Sequence, residues 1–223
     1  MIFLRYQYNL SSLRFDYLAK VCISPNPERL KRLLSREWLD TGIMQNWFDI
    51  YLKPKAPHAY FIDTNVSDIW LREDKHNYIH IFGEYGWRVG EMHKCEIIII
   101  PMCYLEHFIV IVGYPNAKRW DYYNSMPGYS QHWEMAVEFI HWLNESFTAY
   151  NWEEPMGWRR RIVENVPLQE NSHDCGFFVM ASVEHVVLNQ KFEFTQRDMM
   201  YYRCKLVINQ YNRQLELHRK RDQ

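Results

Sequence analysis

The sequence predicts an α+β fold in which a mixed β-sheet is flanked by helices, and two observations support this prediction. Apolar residues recur at helical spacing in residues 25–53 and again in the last third of the chain, whereas apolar runs of strand length fill residues 95–114. Continuous β-branched runs are typical of strands buried on both faces, and spacings of three or four residues are typical of amphipathic helices. A helical block followed by strands interleaved with helices indicates an α+β or mixed α/β architecture.

The predicted elements before the sheet are a helical region and a polar segment. Residues 25–53 are predicted to be helical, with Pro25 and Pro27 suited to a helix start and Gly42 as a point of interruption or kinking. Residues 63–90 are polar, and we expect this segment to be rich in loops, with short strands or helices whose positions the sequence does not give.

Three strands are predicted next, at residues 95–104, 107–114 and 119–125. Alternation along the third strand places Trp120, Tyr122 and Asn124 on one face, with Asp121 and Tyr123 on the other. An amphipathic helix at 130–150, a strand at 159–166, and helices at 175–189 and from 195 to the C-terminus complete the prediction.

Size and composition favour a single intracellular domain. A chain of 223 residues with 48% hydrophobic residues can bury a substantial core, so residues 1–223 are taken as one domain in which 1–25 form an extension without an assigned role. The net charge of −1 and the lack of a long basic run argue against a nucleic-acid partner. Five cysteines at irregular spacing favour reduced thiols in the nucleus or cytoplasm, and no apolar run is long enough to span a membrane.

The most informative segment is the stretch around Cys175, because four residues in the chain can be assigned to thiol-based acyl transfer. Cys175 begins a predicted apolar helix, whose N-terminus stabilises a thiolate and presents free N–H groups to an oxyanion. His107 begins a predicted strand and is a candidate base, and Asn124, at the end of the next strand, can orient its imidazole. Gln169 lies on the loop entering the helix and is a candidate oxyanion donor, while Gly176 leaves room for a substrate carbonyl.

This arrangement resembles the ubiquitin-like-protein-specific cysteine proteases, the Ulp/SENP family that acts on SUMO and Nedd-type modifiers. The family shows His-Trp, then Asp-Ser at a strand end, then Gln, five residues and Cys-Gly; the corresponding positions are His107-Phe108, Asn124-Ser125, and Gln169 with Cys175-Gly176. Upstream, the segment beginning at Trp38 is similar to the family's Trp-Leu-Asn-Asp helix. The resemblance covers about residues 30–180 and implies a papain-like cysteine protease fold.

Three departures from the family pattern stand out. Asn124 replaces an aspartate, and an amide orients an imidazole without stabilising its charge. Phe108 replaces the Trp that helps to clamp the Gly-Gly tail, and Thr41 stands where the family has an Asp that helps to hold the modifier, with Asp40 as a neighbour that could compensate. The resemblance therefore implies Trp38, Phe108, Asp40 and Gly176 as substrate-binding residues and leaves the identity of the modifier open.

Other assignments compete with these residues. Asp121 is an alternative to Asn124, although alternation places it on the opposite face of its strand. His173 is an alternative base but is too close to Cys175 in sequence to face it. His93, Cys95, Cys103 and His107 form a nominal zinc set whose spacing is unlike that of paired zinc ligands, so neither a metal nor a cofactor is expected.

The candidate residues thus predict a thiol protease, and the resemblance implies that it cleaves after the C-terminal Gly-Gly of a ubiquitin-like modifier, for maturation or for release from lysine. SUMO is the first choice of modifier and a Nedd-type modifier the second, and we expect a monomer. The alternative enzyme is a viral or mobile-element polyprotein protease of the same clan. An alternative of another class is an inactive module that binds ubiquitin-like modifiers.

Overall fold

The protein is described from a computed structural model, in which the structure describes residues 33–72, 89–92, 94–128, 130–149 and 154–221. Five strands form one mixed sheet in the order β1-β2-β3-β4-β5. The two outer pairs are parallel and the two inner pairs are antiparallel. The strands are β1 (Ala59–Phe61), β2 (Ile97–Tyr104), β3 (His107–Tyr114), β4 (Arg119–Tyr123) and β5 (Arg159–Ile162).

Helices cover both faces of this sheet. The α-helices are α1 (Thr41–Trp47), α2 (Thr64–Arg72), α3 (Val89–Met92), α4 (Ser130–Ala149), α5 (Cys175–Val187) and α6 (Met199–Arg221). A π-helical turn, Phe48–Leu52, continues α1, and a 3-10 turn, Gln196–Asp198, precedes α6. Within the described residues, no helix combines the length and the apolar character needed to cross a membrane.

The core consists of two clusters, one on each face of the sheet. Ile99 and Val110 belong to the cluster that also contains residues of α1, α5 and α6. Ile100 and Ile111, their neighbours in sequence, belong to the cluster that contains residues of α2 and α4. Because successive side chains of a strand point to opposite faces, this division confirms that β2 and β3 are buried on both sides. The predicted α+β fold class, with a mixed sheet flanked by helices and Cys175 at a helix N-terminus, is confirmed.

A two-residue turn places His107 at the start of β3. Leu105 and Glu106 connect β2 to β3 with φ angles of 47° and 61°, and Tyr104 pairs directly with His107. Positive φ at both central positions characterises the type I′ turn, whose twist matches that of the flanking strands. The tight turn therefore fixes the register of β3 and with it the position of the His107 backbone.

The structure differs from the predicted elements in four places. The helical region expected over 25–53, with Gly42 as the point of interruption, is instead broken at residues 35–40 in its described part, and a new helix starts at Thr41. The prediction for 63–90 allowed short helices but gave no position for α2, and the three-residue strand β1 was not predicted. Strand β5 ends at Ile162 rather than at residue 166. Residues 1–32 and 73–88 lie outside the described residues, so the predictions made for them are not assessed.

Candidate active site

Cys175, the predicted nucleophile, is the first residue of α5, and its thiol lies against the start of β3. The side chain is buried, and the backbone N–H groups of Phe108, Gly176 and Cys175 itself hydrogen bond to the sulfur. Burial raises the pKa of the Cys175 thiol and the carboxylate of Asp174 adds to this rise, whereas the three N–H groups act to lower it. The neutral thiol is therefore the favoured form of Cys175, and the surrounding backbone N–H groups are hydrogen-bond donors to the thiolate when it forms.

His107, the predicted base, is hydrogen bonded to Asn124. Nε2 of His107 lies 2.7 Å from Oδ1 of Asn124, which directly follows β4. The backbone N–H of Met126 donates to the same Oδ1 at 2.8 Å, and Nδ2 of Asn124 donates to the Tyr122 hydroxyl at 2.9 Å. These bonds fix the orientation of the amide, so Nε2 of His107 is the donor to Asn124. Nδ1 of the neutral ring then remains a proton acceptor, as a general base requires.

A second histidine, His132, packs against His107 and was missing from the predicted site. The two ring centroids are 5.0 Å apart at an interplanar angle of 79°, and Nε2 of His132 donates to the carbonyl oxygen of Tyr104 at 3.0 Å. Burial lowers the pKa of His107 and repulsion from His132 adds to this, whereas the hydrogen bond with Asn124 acts against it. The available signal was that His132 shares the apolar face of α4 with Ala136 and Phe139.

Asp121, the alternative to Asn124, lies on the opposite face of β4, as alternation predicted. Its buried carboxylate accepts hydrogen bonds from Nε of Arg119 at 2.7 Å and from Nε and Nη2 of Arg161 at 3.0 and 2.5 Å. Asp121 therefore joins β4 to β5 through two arginines and is not the residue that orients His107.

The other alternative assignments receive no support from the described geometry. The backbone N–H of His173 donates to Oδ1 of Asn171, and its ring lies 4.0 Å from the Asp174 carboxylate. His93, one member of the nominal zinc set, lies outside the described residues. Among the residues that the structure describes, no group of three or more His, Cys, Asp or Glu could hold a metal ion.

Gln169, the predicted oxyanion donor, is attached to the residue that follows Asn124. Its Oε1 accepts from the Ser125 hydroxyl at 2.7 Å, and its backbone N–H donates to the Ser125 carbonyl at 3.0 Å. Nε2 donates to the carbonyl oxygen of Asn171 at 2.5 Å. Since a primary amide has two N–H bonds, this contact uses one and leaves a second donor on Nε2. The loop that carries Gln169 is thus linked to the end of β4.

The segment before α1 carries two of the predicted substrate-binding residues, and the structure gives one of them a local role. Trp38 is 45% exposed and belongs to the non-helical residues before α1. Asp40 is the N-cap of α1, because its Oδ1 accepts from the backbone N–H of Ile43 at 3.2 Å. The carboxylate of Asp40 is therefore engaged in capping, and its predicted contact with the modifier stays a prediction.

The remaining two predicted substrate-binding residues are buried. A Cβ atom added to Gly176 would lie 2.8 Å from Cβ of Leu39, so the glycine allows α5 to approach the segment of Trp38. The sequence predicted instead that Gly176 makes room for a substrate carbonyl. Phe108 is only 3% exposed and belongs to the core cluster that contains Cys175. Its predicted role as an aromatic wall stays a prediction.

A buried ion pair next to the thiol was also missing from the predicted site. Asp174, directly before Cys175, accepts two hydrogen bonds from Arg203 of α6, from Nη2 at 2.5 Å and from Nε at 3.0 Å. Arg203 also donates to the carbonyl oxygens of Leu33 and Glu37. Burial acts to raise the pKa of Asp174, but hydrogen bonds from Asn171 and Arg203 hold it below its usual value. The available signal was the position of Arg203 at helical spacing from the apolar residues Met199 and Leu206 of α6, which are buried with it.

Together these residues form the arrangement needed for nucleophilic acyl transfer. A thiol lies at a helix N-terminus among N–H donors, and a nearby imidazole is oriented by an amide so that its second nitrogen can accept a proton. No redox group or metal is required for this chemistry, which needs a nucleophile, a base and an oxyanion site.

Comparison with known proteins identifies the same architecture. A family model described as the Ulp1 protease family, C-terminal catalytic domain, matches residues 40–216. Sentrin-specific protease 3 of Homo sapiens is 24% identical over 190 residues, covering 80% of this chain and 32% of that protein. Sentrin-specific protease 5 of Mus musculus is 27% identical over 118 residues, covering 52% of this chain and 15% of that protein. The chain therefore spans at most about a third of the length of these curated relatives.

Solved structures show the same fold at low identity. The C-terminal Ulp1 protease domain in complex with Smt3, the yeast ortholog of SUMO, has a TM-score of 0.69 and 14% identity, covering 88% of this chain and 92% of that chain. The SUMO protease Ulp1 with its catalytic cysteine oxidised to a sulfinic acid has a TM-score of 0.68 and 15% identity, covering 87% and 92%.

Proposed function

The chain belongs to the Ulp1 protease family of cysteine proteases, and from this premise we propose that it cleaves after the C-terminal Gly-Gly of a SUMO-type modifier. The observation that carries the proposal is the 2.7 Å contact between His107 and Asn124 beside a thiol at the N-terminus of α5. The family match includes all of these residues. The reaction would mature a modifier precursor or release the modifier from a lysine side chain.

In the proposed mechanism, Nδ1 of His107 accepts the proton of the Cys175 thiol as the sulfur attacks the carbonyl carbon of the terminal glycine. The tetrahedral oxyanion is stabilised by the Cys175 backbone N–H and by the second N–H of Gln169. Collapse of this intermediate breaks the C–N bond, and His107 donates the proton to the leaving nitrogen. Water, deprotonated by His107, then hydrolyses the thioester and restores the thiol.

The directions of the two pKa shifts define the resting state of this pair. Burial raises the pKa of Cys175 and lowers that of His107, so the free enzyme holds a neutral thiol and a neutral imidazole near pH 7. Proton transfer therefore accompanies attack, and the N–H groups around the sulfur favour the thiolate as it forms. Asn124 orients the ring throughout without supplying a charge.

SUMO is proposed as the modifier because the relatives that cover most of this chain are sentrin-specific proteases. The Ulp1 domain with the same fold was solved with Smt3, the yeast ortholog of SUMO. We propose that exposed Trp38 and the aromatic ring of Phe108 border the path of the Gly-Gly tail. Thr41 departs from the family's aspartate, which keeps a Nedd-type modifier as the second candidate.

Covalent trapping tests this proposal. SUMO forms, a Nedd-type modifier and ubiquitin, each carrying a C-terminal electrophile, are incubated with the wild-type chain and with Cys175→Ala. We expect a mass increase with SUMO that is absent in Cys175→Ala. Labelling by the Nedd-type modifier alone would overturn the choice of SUMO and retain the mechanism.

Two further outcomes would overturn the proposal. Folded protein that is labelled by no modifier but cleaves short Gly-containing peptides would be a polyprotein-type protease. Binding of a modifier that is unchanged by Cys175→Ala, with no turnover, would identify an inactive binding module. Circular dichroism of both proteins establishes that they are folded.

A further inference from the structure

An apolar cavity of about 470 Å³ lies beside Asn124, on the side of the sheet that carries α4. Its lining includes Tyr122, Asn124, Trp133, Ile162, Val166 and Leu168. The cavity is thus formed by the end of β4, the start of α4 and the chain that follows β5. None of the roles assigned above to Cys175, His107 or Gln169 requires this cavity.

The cavity has mainly apolar walls, in which Ser130 and Glu164 are the polar members, and a polar floor, which is the composition of a ligand site. Ile162 and Leu168 are 47% and 52% exposed, although both are large apolar residues at its edge. At the floor, the Tyr122 hydroxyl accepts from Nδ2 of Asn124 at 2.9 Å, so its own O–H remains to be donated. The rings of Tyr122 and Trp133 meet edge to face with centroids 5.3 Å apart, which holds both walls in place.

The position of the cavity relative to the reacting atoms indicates which part of a substrate it takes. Leu39 packs against Gly176, which directly follows the nucleophile, and its neighbour in sequence, Trp38, borders the path proposed for the acyl side of the substrate. On the other side of the nucleophile, the backbone N–H of Phe108 hydrogen bonds to the sulfur, and hydrogen bonds run from the neighbouring His107 to Asn124 and on to Tyr122. His107 must reach the leaving nitrogen to donate a proton, so the leaving chain departs on this side.

We propose that this cavity binds an apolar side chain of the polypeptide on the leaving side of the scissile bond. The inference rests on the proposed protease function and extends it to the second half of the substrate. The site is continuous with the active site, because Asn124 both orients His107 and lines the cavity. The Tyr122 O–H would donate to a backbone carbonyl of the bound segment.

The expected consequence is a preference for apolar residues just after the scissile bond. A substrate whose side chain fills an apolar pocket is favoured over one whose side chain does not by roughly 10- to 200-fold in kcat/KM. A leucine or phenylalanine in this region should therefore be favoured over serine or aspartate by roughly tenfold or more.

The test compares cleavage of SUMO fused at its terminal glycine to short peptides that differ only in the first residues after the bond. Wild type is measured beside Ile162→Ser/Leu168→Ser, which removes the apolar edge of the cavity. Ile208→Ser, at a similarly exposed apolar position on α6, is the matched control. We expect the double variant to lose the apolar preference, and Ile208→Ser to keep it. Labelling by electrophilic SUMO, which has no leaving chain, should be equal in all three proteins.

Equal kcat/KM for apolar and polar peptides in a wild type that labels normally would overturn the cavity proposal and leave the protease function intact. A preference that survives in the double variant would also overturn it. Absence of labelling by electrophilic SUMO would instead contradict the proposed action on a SUMO-type modifier. In that case the cavity is tested by cross-linking photoreactive leucine amide to Cys175→Ala: adducts on residues 162–168 that disappear in the double variant support the site, and their absence overturns it.

Discussion

His107 lies between two neighbours that act on its protonated form in opposite directions. The hydrogen bond with Asn124 favours the imidazolium, whereas burial and the adjacent His132 ring disfavour it. An amide in this position adds no negative charge, so the imidazole receives orientation but little electrostatic support for its cation. The residue at position 124 therefore sets how readily the thiolate–imidazolium pair forms.

Asn124→Asp should preserve or raise turnover, because a carboxylate stabilises the imidazolium and can accept from the Tyr122 hydroxyl. By favouring the ion pair it should also move alkylation of Cys175 by iodoacetamide to lower pH. The measurement is the alkylation rate against pH, with kcat/KM for SUMO cleavage. Asn124→Ala is the control and should lose turnover. A folded but inactive Asp variant would show that Asn124 is not the orienting residue.

Gln169 has an acceptor and a donor function, and these can be separated. Its Oε1 accepts from Ser125 while Nε2 supplies N–H bonds. Gln169→Glu keeps the acceptor and removes the donor, so it should slow turnover by roughly 10²-fold, as Gln169→Ala should. Ser125→Ala removes only the anchor and should cost less. The readout is the single-turnover rate of SUMO cleavage. An unchanged rate in Gln169→Glu would remove Gln169 from the oxyanion site.

At the scale of elements, the start of α1 is held by a helix cap and by a packing contact with α5. Asp40 caps this helix by accepting from the Ile43 N–H, and Leu39 packs against Gly176 of α5. Asp40 also marks the end of the non-helical residues that include Trp38. A substitution of Asp40 can therefore lower stability by removing the helix cap, or weaken substrate binding by removing a negative charge.

Asp40→Asn and Asp40→Ala distinguish these two effects. Asparagine is as good an N-cap as aspartate, whereas alanine costs about 1 kcal/mol of unfolding free energy. We expect the urea midpoint to fall only in Asp40→Ala. If the carboxylate also holds the modifier, KM for SUMO cleavage should rise in both variants. A normal KM in Asp40→Asn would exclude the predicted contact between this charge and the modifier.

The elements that were predicted correctly are those in which the local pattern and the tertiary environment agree. Strand β3 begins and ends where its apolar run does, and α4 follows its amphipathic stripe.

The break at residues 35–40 was missed because helical spacing of apolar residues continues across it, while the Asp40 cap and the packing of Leu39 decide the structure. Helix α2 could not be placed because its surroundings in sequence are polar. The hairpin turn at Leu105 and Glu106 has no Asn-Gly signal, yet both residues adopt positive φ.

At the scale of the molecule, the site was predictable where its residues follow a motif and not where they meet through packing. His107, Asn124, Gln169 and Cys175 occur in a recognisable order in the sequence. The approach of Arg203 to Asp174 depends on how α6 crosses the N-terminus of α5, and no local pattern encodes this distance. This one arginine nevertheless joins α6 to the start of α5 and to the residues before α1, which include Trp38.

The Arg203–Asp174 pair provides the last prediction, since its loss should depend on pH. A carboxyl whose pKa is depressed in the folded state stabilises the fold above its unfolded pKa of about 3.9, and this stability is lost as pH falls through the lower folded pKa. Arg203→Met should therefore lower the unfolding free energy at pH 7 by about 3 kcal/mol, because a buried carboxylate loses its partner.

The same variant should be closer to wild type near pH 3, where protonation of Asp174 removes the uncompensated charge. The double variant Arg203→Met/Asp174→Asn, which has no buried charge at this site, should be more stable than Arg203→Met alone at pH 7. Urea unfolding of the three proteins at both pH values gives the comparison. Equal losses at pH 7 and pH 3 would mean that Arg203 stabilises the protein through its bonds to the Leu33 and Glu37 carbonyls rather than through Asp174. The bonds to Leu33 and Glu37 hold the residues before α1, which include Trp38, whereas the bond to Asp174 holds the start of α5. The pH dependence of the unfolding free energy therefore shows which of these two contacts of Arg203 contributes to stability.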